Sequence, residues 1–456
     1  TALLSSAASD VYKRQAVERG SMLVFLPGAA EIRRVAKQLE ASSLGPAWRI
    51  APLYGNLSLA SQASAILPAA NGQYKIVLAT SIADTSLTIE GIRVVVDSGL
   101  SLVQSFDAGS GLTRLVTLPV TKASADQRRG RAGRMTAGTC FRLWSREQHA
   151  GLIPQARPAI LEADLAPLGL ELALWGLTDA SSLDWLDPPP PATLQQARDL
   201  LMRLAALDRE GRITDHGRQM ANLPLHPRLA HMVLKAMAGG KGDLACDLAA
   251  LLSERDIVRF GPGERDADLR LRLDILAQFR REKHFHDLSG IVDKSACRRA
   301  TQVSENLRRR LAITCRCDDH KMAGVLLAWA YPDRIAQRRD GHSGRFLLAG
   351  GRGAYLDAAE PLAASDYLVA ATLDGERREA RIFLGAAMTL NSLYEHFEAD
   401  MHREERVDWD SERQAVRAER HLRLGALRIK IEPLAAIPDE ARQAALLKGL
   451  RLTGLA

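Results

Sequence analysis

The sequence predicts a multidomain chain that opens on an α/β domain with a parallel sheet, continues through helical modules and adds a small antiparallel barrel. Three observations predict this. Between Ser21 and Trp144, short unbroken apolar runs alternate with helical stretches, as strands buried on both faces do. After about Gln155 those runs vanish and amphipathic helices take over. Near Tyr331 short strands return between Gly-rich turns, which suits a small barrel. The length of 456 residues fits two to four domains at roughly 100–200 residues each. Apolar residues at 46% and charged residues at 25% are ordinary globular values, so wholesale disorder is excluded.

Each element follows from local pattern. MLVFL (Met22–Leu26) leads through Pro27-Gly28 into EIRRVAKQLE, where Ile32, Val35, Ala36 and Leu39 recur at helical spacing. APLY (Ala51–Tyr54), KIVLA (Lys75–Ala79), IRVVVD (Ile92–Asp97) and FRLW (Phe141–Trp144) supply the further strands. Ser98–Val120 alternates, with a turn near Asp107-Ala108 and Gly111, and predicts a projecting hairpin. Leu161–Trp175 and Leu194–Leu207 are amphipathic helices divided by Asp187 and four prolines. The turn Asp208–Thr214 and a new helix from Asp215 complete the order expected of a winged helix. Ala230–Thr314 is helical and rich in Arg and Lys. The expected divisions are 1–15, a non-native leader without an initiator Met; 16–150, the sheet domain; and 151–225, the winged helix. Then come 226–325, helical; 326–395, the barrel; and 396–456, a mixed-charge helical segment that is cut short.

Composition narrows the function classes only a little. Lys+Arg 61 against Asp+Glu 54 leaves a net charge of +7, a faint lean towards polyanions. No run approaches the ~18 apolar residues of a membrane span. Five cysteines are too few and too scattered for a disulfide framework. Cys315-x-Cys317 lacks the two further ligands of a structural zinc. No metal site is expected, and the thiols read as reduced, in a cytoplasmic protein.

The most informative segment is Gln127-Arg128-Arg129-Gly130-Arg131-Ala132-Gly133-Arg134. Arg131 and Arg134 stand one helical turn apart, so both guanidiniums can leave one face. Gly130 and Gly133 clear that face for close approach of a ligand. A pair of permanently charged forks suits a polyphosphate.

This octet resembles motif VI of superfamily 2 helicases, specifically the DEAH/RHA branch. Ala79–Ile89 (ATSIADTSLTI) is similar to motif V of that branch, and Leu23–Gly28 (LVFLPG) to motif IV. Downstream, LEADLAPLGLELALWGL and DPPPPATLQQA resemble its winged helix, and YPDRIAQRR with GRFLLAGGRGA resembles bacterial HrpB-type members. The resemblance implies a RecA-like α/β domain followed by a winged helix, a helical ratchet bundle and an OB-like barrel. It implies Arg131 and Arg134 as arginine fingers, with Gln127 placing the γ-phosphate or the attacking water. Ser86, Glu90 and Arg128 would lie at the nucleotide; Thr80, Thr88 and Gly28 would lie at the nucleic acid. Two departures stand out, Ser81 for the usual Asn and Asp84 for the usual Glu, and weakened contacts are expected there. The hairpin would wedge between strands. RREKH (Arg280–His284) and Arg308–Arg310 would contact RNA backbone, and Tyr331, Phe346 and Tyr355 are the candidate stacking platforms.

Neither GxxxxGK[ST] nor a DEAH tetrapeptide occurs. ATP and Mg²⁺ are therefore expected to find their main ligands on a first RecA-like domain outside these residues. Expected partners are RNA, single-stranded or tailed duplex, with DNA as an alternative; no membrane is expected. The oligomeric state is left open. The leading function is the C-terminal part of an ATP-dependent RNA helicase moving 3′ to 5′. The alternative is a motor-less nucleic-acid-binding or partner-binding protein on the same fold.

Overall fold

The computed structural model describes residues 20–452 except 43, 56, 85–87, 108–111, 135–136, 262–263, 283–290, 316–319, 340 and 375–378. The expected leader lies outside them. The chain divides into two compact units, one reaching to Ala163 and the other running from Asp164.

In the first unit, β1 (Ser21–Phe25), β2 (Trp48–Leu53), β3 (Tyr74–Ala79) and β4 (Ile92–Asp97) are parallel. β5 (Leu100–Asp107) and β6 (Leu112–Pro119) form the expected two-stranded ribbon. β7 (Thr139–Arg142) then joins β4, giving the order β2-β3-β1-β4-β7. All five β1 positions are buried, so this strand reads as a continuous apolar run. Helix α1 (Ala29–Glu40) buries Ile32, Val35, Ala36 and Leu39, the residues its periodicity singles out. Helix α2 (Leu59–Ile66) is capped by Ser58, and α3 (Lys122–Arg129) by Thr121, which accepts from Ser124 N. α4 (Arg146–Ala150) follows β7 with a Ser145/Gln148 capping box.

The second unit begins with the winged-helix elements α5 (Ala166–Leu174), α6 (Pro191–Arg203) and α7 (Asp215–Ala221). Their small wing is the antiparallel bridge Leu207–Ile213. Helices α8 (Pro227–Ala238), α9 (Gly242–Ser253), α10 (Leu269–Arg281), α11 (Lys294–Arg310) and α12 (Ala323–Ala330) follow. α12 crosses the expected division at 325/326 and buries seven of its eight residues. The barrel is closed, in the order β10-β12-β11-β8-β9, from β8 (Ile335–Arg338), β9 (Arg345–Leu348), β10 (Gly353–Tyr355), β11 (Tyr367–Leu373) and β12 (Glu379–Met388). Phe346 is wholly inside it, so it packs rather than offering a stacking surface. Arg228 forks onto Asp333 at 2.6 and 3.1 Å and donates to Ala330 O at 3.1 Å. That fork joins α8 to the α12–β8 corner.

Residues 396–456 are not the mixed-charge helix expected. After α13 (Leu390–Phe397) come β13 (His402–Asp410), β14 (Ala415–Leu424) and β15 (Leu427–Pro433), an antiparallel sheet. Helix is restored only in α14 (Asp439–Leu452). β13 carries charge at most positions and is exposed over its first half, so it lacks the apolar alternation that marks a strand. Cross-strand ion pairs take its place, Arg420–Glu405 at 2.7 Å and Arg423–Glu404 at 2.8 Å. Gly449 of α14 lies so close to Trp409 that a Cβ would stand 2.4 Å from the ring.

The arginine clusters of the helical region also differ from expectation. Arg280 grips Asp247 bidentately at 2.7 and 2.8 Å, and Arg308 reaches Asp243 at 2.8 Å and Asp247 at 3.1 Å. Both are largely buried and serve the fold, not an RNA backbone. Arg281, Arg309 and Arg310 remain exposed; the rest of the first cluster, 283–284, lies outside the described residues.

Asp247→Ala should leave the buried Arg280 without its counter-charge and Arg308 with Asp243 alone, and lower stability by about 3 kcal/mol or more. Arg309→Ala with Arg310→Ala should change it little; denaturant unfolding measures both. A second outcome concerns pH. His231 lies 2.8 Å from His216, and burial pushes its pKa from 6.5 down to about 3. Its folded value is depressed, so its contribution is complete above pH 6.5 and is lost as pH falls towards 3. His231→Gln should flatten that acid-side loss in thermal unfolding followed across the same range.

Candidate nucleotide and nucleic-acid site

Parallel strands deliver their loops to one edge, the carboxyl end, where such sheets build sites. Three segments meet at that edge: Pro27-Gly28 after β1, Thr80–Asp84 and Thr88–Glu90 after β3, and the end of α3 with the turn beyond it. Gly28 is buried and extended (φ −152°), at the start of α1. A Cβ there would approach the Glu31 carboxylate to 2.9 Å and Leu102 to 3.7 Å. Thr80 is half-buried and heads a short 3₁₀ turn, Ser81–Ala83.

The centre of the arrangement is Arg128. It was expected at the nucleotide, yet it is 1% exposed and turned inward. Its Nε donates to Asp84 Oδ1 at 3.0 Å and its Nη1 to Asp97 Oδ1 at 2.9 Å and Leu100 O at 3.2 Å. Phe25 lies beneath it, with the ring centroid 4.8 Å from the guanidinium carbon. Strand register explains the constellation. Phe25 on β1 pairs with Asp97 on β4, so an aromatic face and a carboxylate end side by side under α3. Asp84 also accepts from Ser124 Oγ at 3.0 Å. Burial pushes the Asp84 carboxyl up from its ordinary range, while Arg128 and Ser124 pull it back.

The finger candidates sit in a different local structure from the one expected. α3 ends at Arg129, and Arg131 and Arg134 lie in the turns that follow. Arg131 N and Ala132 N bond to Arg128 O and Arg129 O, both at 3.1 Å, and the buried Ala132 anchors the turn in the core beneath the sheet. Arg131 Nη2 donates to the backbone carbonyl of Asp84. Arg134 Nη1 donates to Thr88 Oγ1 at 2.6 Å. Burial, with the charge of Arg134, pushes the Arg131 pKa below its ordinary value. Two like charges are thus held together at one rim, an electrostatic demand for an anion.

Motif VI residues and the motif V loop are therefore brought together through Arg128–Asp84, Arg131–Asp84 and Arg134–Thr88. Gln127 and Glu90 are exposed. Ser86 lies outside the described residues. Sequence reading missed Asp97 and Ser124, and it missed the inward turn of Arg128. A signal for the last was present: Ala125, Arg128 and Ala132 recur at helical spacing, and the two alanines mark the face that is buried. Another missed contact is Arg142 Nη2 to Asp126 Oδ1 at 2.8 Å, which ties β7 to α3.

Comparison with known proteins agrees with this architecture. Residues 6–136 match the helicase conserved C-terminal domain, and 197–225 match the winged helix of the helicase associated domain (HA2). Residues 401–434 match the connector region of ATP-dependent RNA helicase HrpB. The ATP-dependent RNA helicase HrpB of Escherichia coli (strain K12) is 39% identical over 440 residues, 96% of this chain and 51% of that protein. The probable ATP-dependent RNA helicase DHR2 of Saccharomyces cerevisiae is 36% identical over 269 residues, 57% of this chain and 37% of the relative. A crystal structure of the E. coli DExH-box NTPase HrpB aligns with a TM-score of 0.81 at 38% identity, over 99% of this chain and 53% of that one. A second, of the Escherichia coli DEAH/RHA helicase HrpB, also gives 0.81, at 36% identity, over 98% of this chain and 53% of that one. The chain spans about half the length of the HrpB relative it matches. Sheet order, winged helix, closed barrel and connector place the chain among the HrpB-like DEAH/RHA helicases.

Proposed function

We propose that this chain supplies the arginine fingers and part of the nucleic-acid path of an ATP-dependent RNA helicase. The observation that carries the reading is the joining of Arg131 and Arg134 to the loop after β3, at the carboxyl edge of a parallel sheet. Planar, permanently charged guanidiniums neutralise the charge that spreads over a transferring phosphoryl group. Arg131 and Arg134 act there, and exposed Gln127 orients the phosphate or the attacking water. Ser86 and Glu90 are assigned to the nucleotide from the resemblance. Thr80, Thr88 and Gly28 face the nucleic acid. Arg128, committed to two carboxylates, is a positioning residue in this reading and not a phosphate ligand.

The residues present fit the polyphosphate, not its metal. The rim offers guanidiniums, while Asp84 is engaged with Arg128 and Ser124. Mg²⁺ and the phosphate cradle are accordingly assigned to another RecA-like domain that bears a Walker A motif. When bound, Mg²⁺ neutralises phosphate charge. RNA is the proposed partner, and 3′-to-5′ movement is carried over from the resemblance.

With the Walker A domain present, Arg131→Ala or Arg134→Ala should lower RNA-stimulated ATP turnover about 10³-fold, the usual scale for an arginine finger. Duplexes with a 3′ tail should be displaced and those with a 5′ tail left intact. Unchanged turnover in both variants would refute the finger assignment.

A further inference from the structure

The two fingers are not held alike. Arg131 is tied to a backbone carbonyl, that of Asp84, whose side chain is itself clamped by Arg128 and Ser124. Its position follows the fold. Arg134 is tied to a side-chain hydroxyl, Thr88 Oγ1 at 2.6 Å, and both side chains are exposed. Beside it, nothing among the described residues lies within 4 Å of a Cβ built on Gly133, so that flank is open to them. A hydroxyl that accepts from Arg134 still has its own O–H to give, and a guanidinium with one N–H engaged keeps four. The pair therefore presents two donors fixed to each other, one on each residue.

We propose that Thr88 is the positioning residue of Arg134. Its hydroxyl accepts from the guanidinium and donates to a phosphodiester oxygen of single-stranded nucleic acid. This rests on the functional reading above. A phosphodiester on Thr88 fixes the hydroxyl and thereby the rotamer of Arg134. Polarised by the neighbouring cation, the O–H is also a stronger donor to phosphate. Arg131 needs no such input, because a main-chain oxygen already holds it. Nucleic acid thus completes the finger pair through one hydroxyl.

The test is a double-mutant cycle in the full-length helicase, reading ATP turnover with and without saturating oligo(U). Thr88→Val should cut stimulated kcat about tenfold, the usual worth of a charge-assisted hydrogen bond. Thr88→Ser should restore it. In an Arg134→Lys background, which keeps turnover measurable, Thr88→Val should add little further loss. Independent, multiplying effects would overturn the proposal. So would a Thr88→Val variant that binds oligo(U) more weakly yet reaches full stimulation at saturation. An Arg131→Ala variant with normal turnover would instead refute the functional reading itself, a separate outcome.

Discussion

The carboxyl edge of the sheet in the first unit depends on one buried cation. Arg128 sits among Asp84, Asp97 and the Phe25 ring with almost no exposure. An unpaired guanidinium there would cost several kcal/mol, so its partners are obligatory. They come from β1, from the loop after β3, from the end of β4 and from the start of β5. Folding those four pieces together is what satisfies the charge. The arginines beyond α3 then inherit their places, since Arg131 bonds to Asp84 and the turn beyond α3 is rooted by Ala132. The Asp97 carboxylate is shared as well, its Oδ1 also accepting from Gly99 N at 3.0 Å. That bond fixes the start of the ribbon β5–β6.

Much of the fold was legible because burial writes simple periodicities. Five apolar runs became the five parallel strands, and the helical spacing of Ile32, Val35, Ala36 and Leu39 identified the buried face of α1. The winged helix was legible from punctuation, with prolines before α6 and the turn at Asp208–Thr214. The connector sheet was not. β13 and β14 are joined by cross-strand ion pairs, and a one-dimensional pattern does not distinguish these from the charged face of a helix.

The candidate site was legible as residue types and not as directions. QRRGRAGR contains four arginines. One is structural, two reach the loop after β3, and Arg129 is exposed beside Asp126 at 3.6 Å. The same ambiguity misassigned Arg280 and Arg308, which share Asp247 with the Ser304 hydroxyl. Guanidinium groups are chemically identical in these roles. What separates them is the carboxylate that the fold brings near, as Asp247 on α9 is brought to α10 and α11.

Helix α12 has a consequence for how the second unit comes to be. Its sequence, AGVLLAWA, is apolar along its length and has no face to offer water. One continuous core includes Val325 and Leu327 together with Leu248 of α9, Val369 of the barrel and Leu427 of the connector. The helical region and the barrel consequently cannot mature as successive modules. Until β11 and β12 arrive, this segment is exposed on the nascent chain, and its burial waits on contacts far along the sequence. Synthesis of the barrel and connector is the step that completes the core around α12.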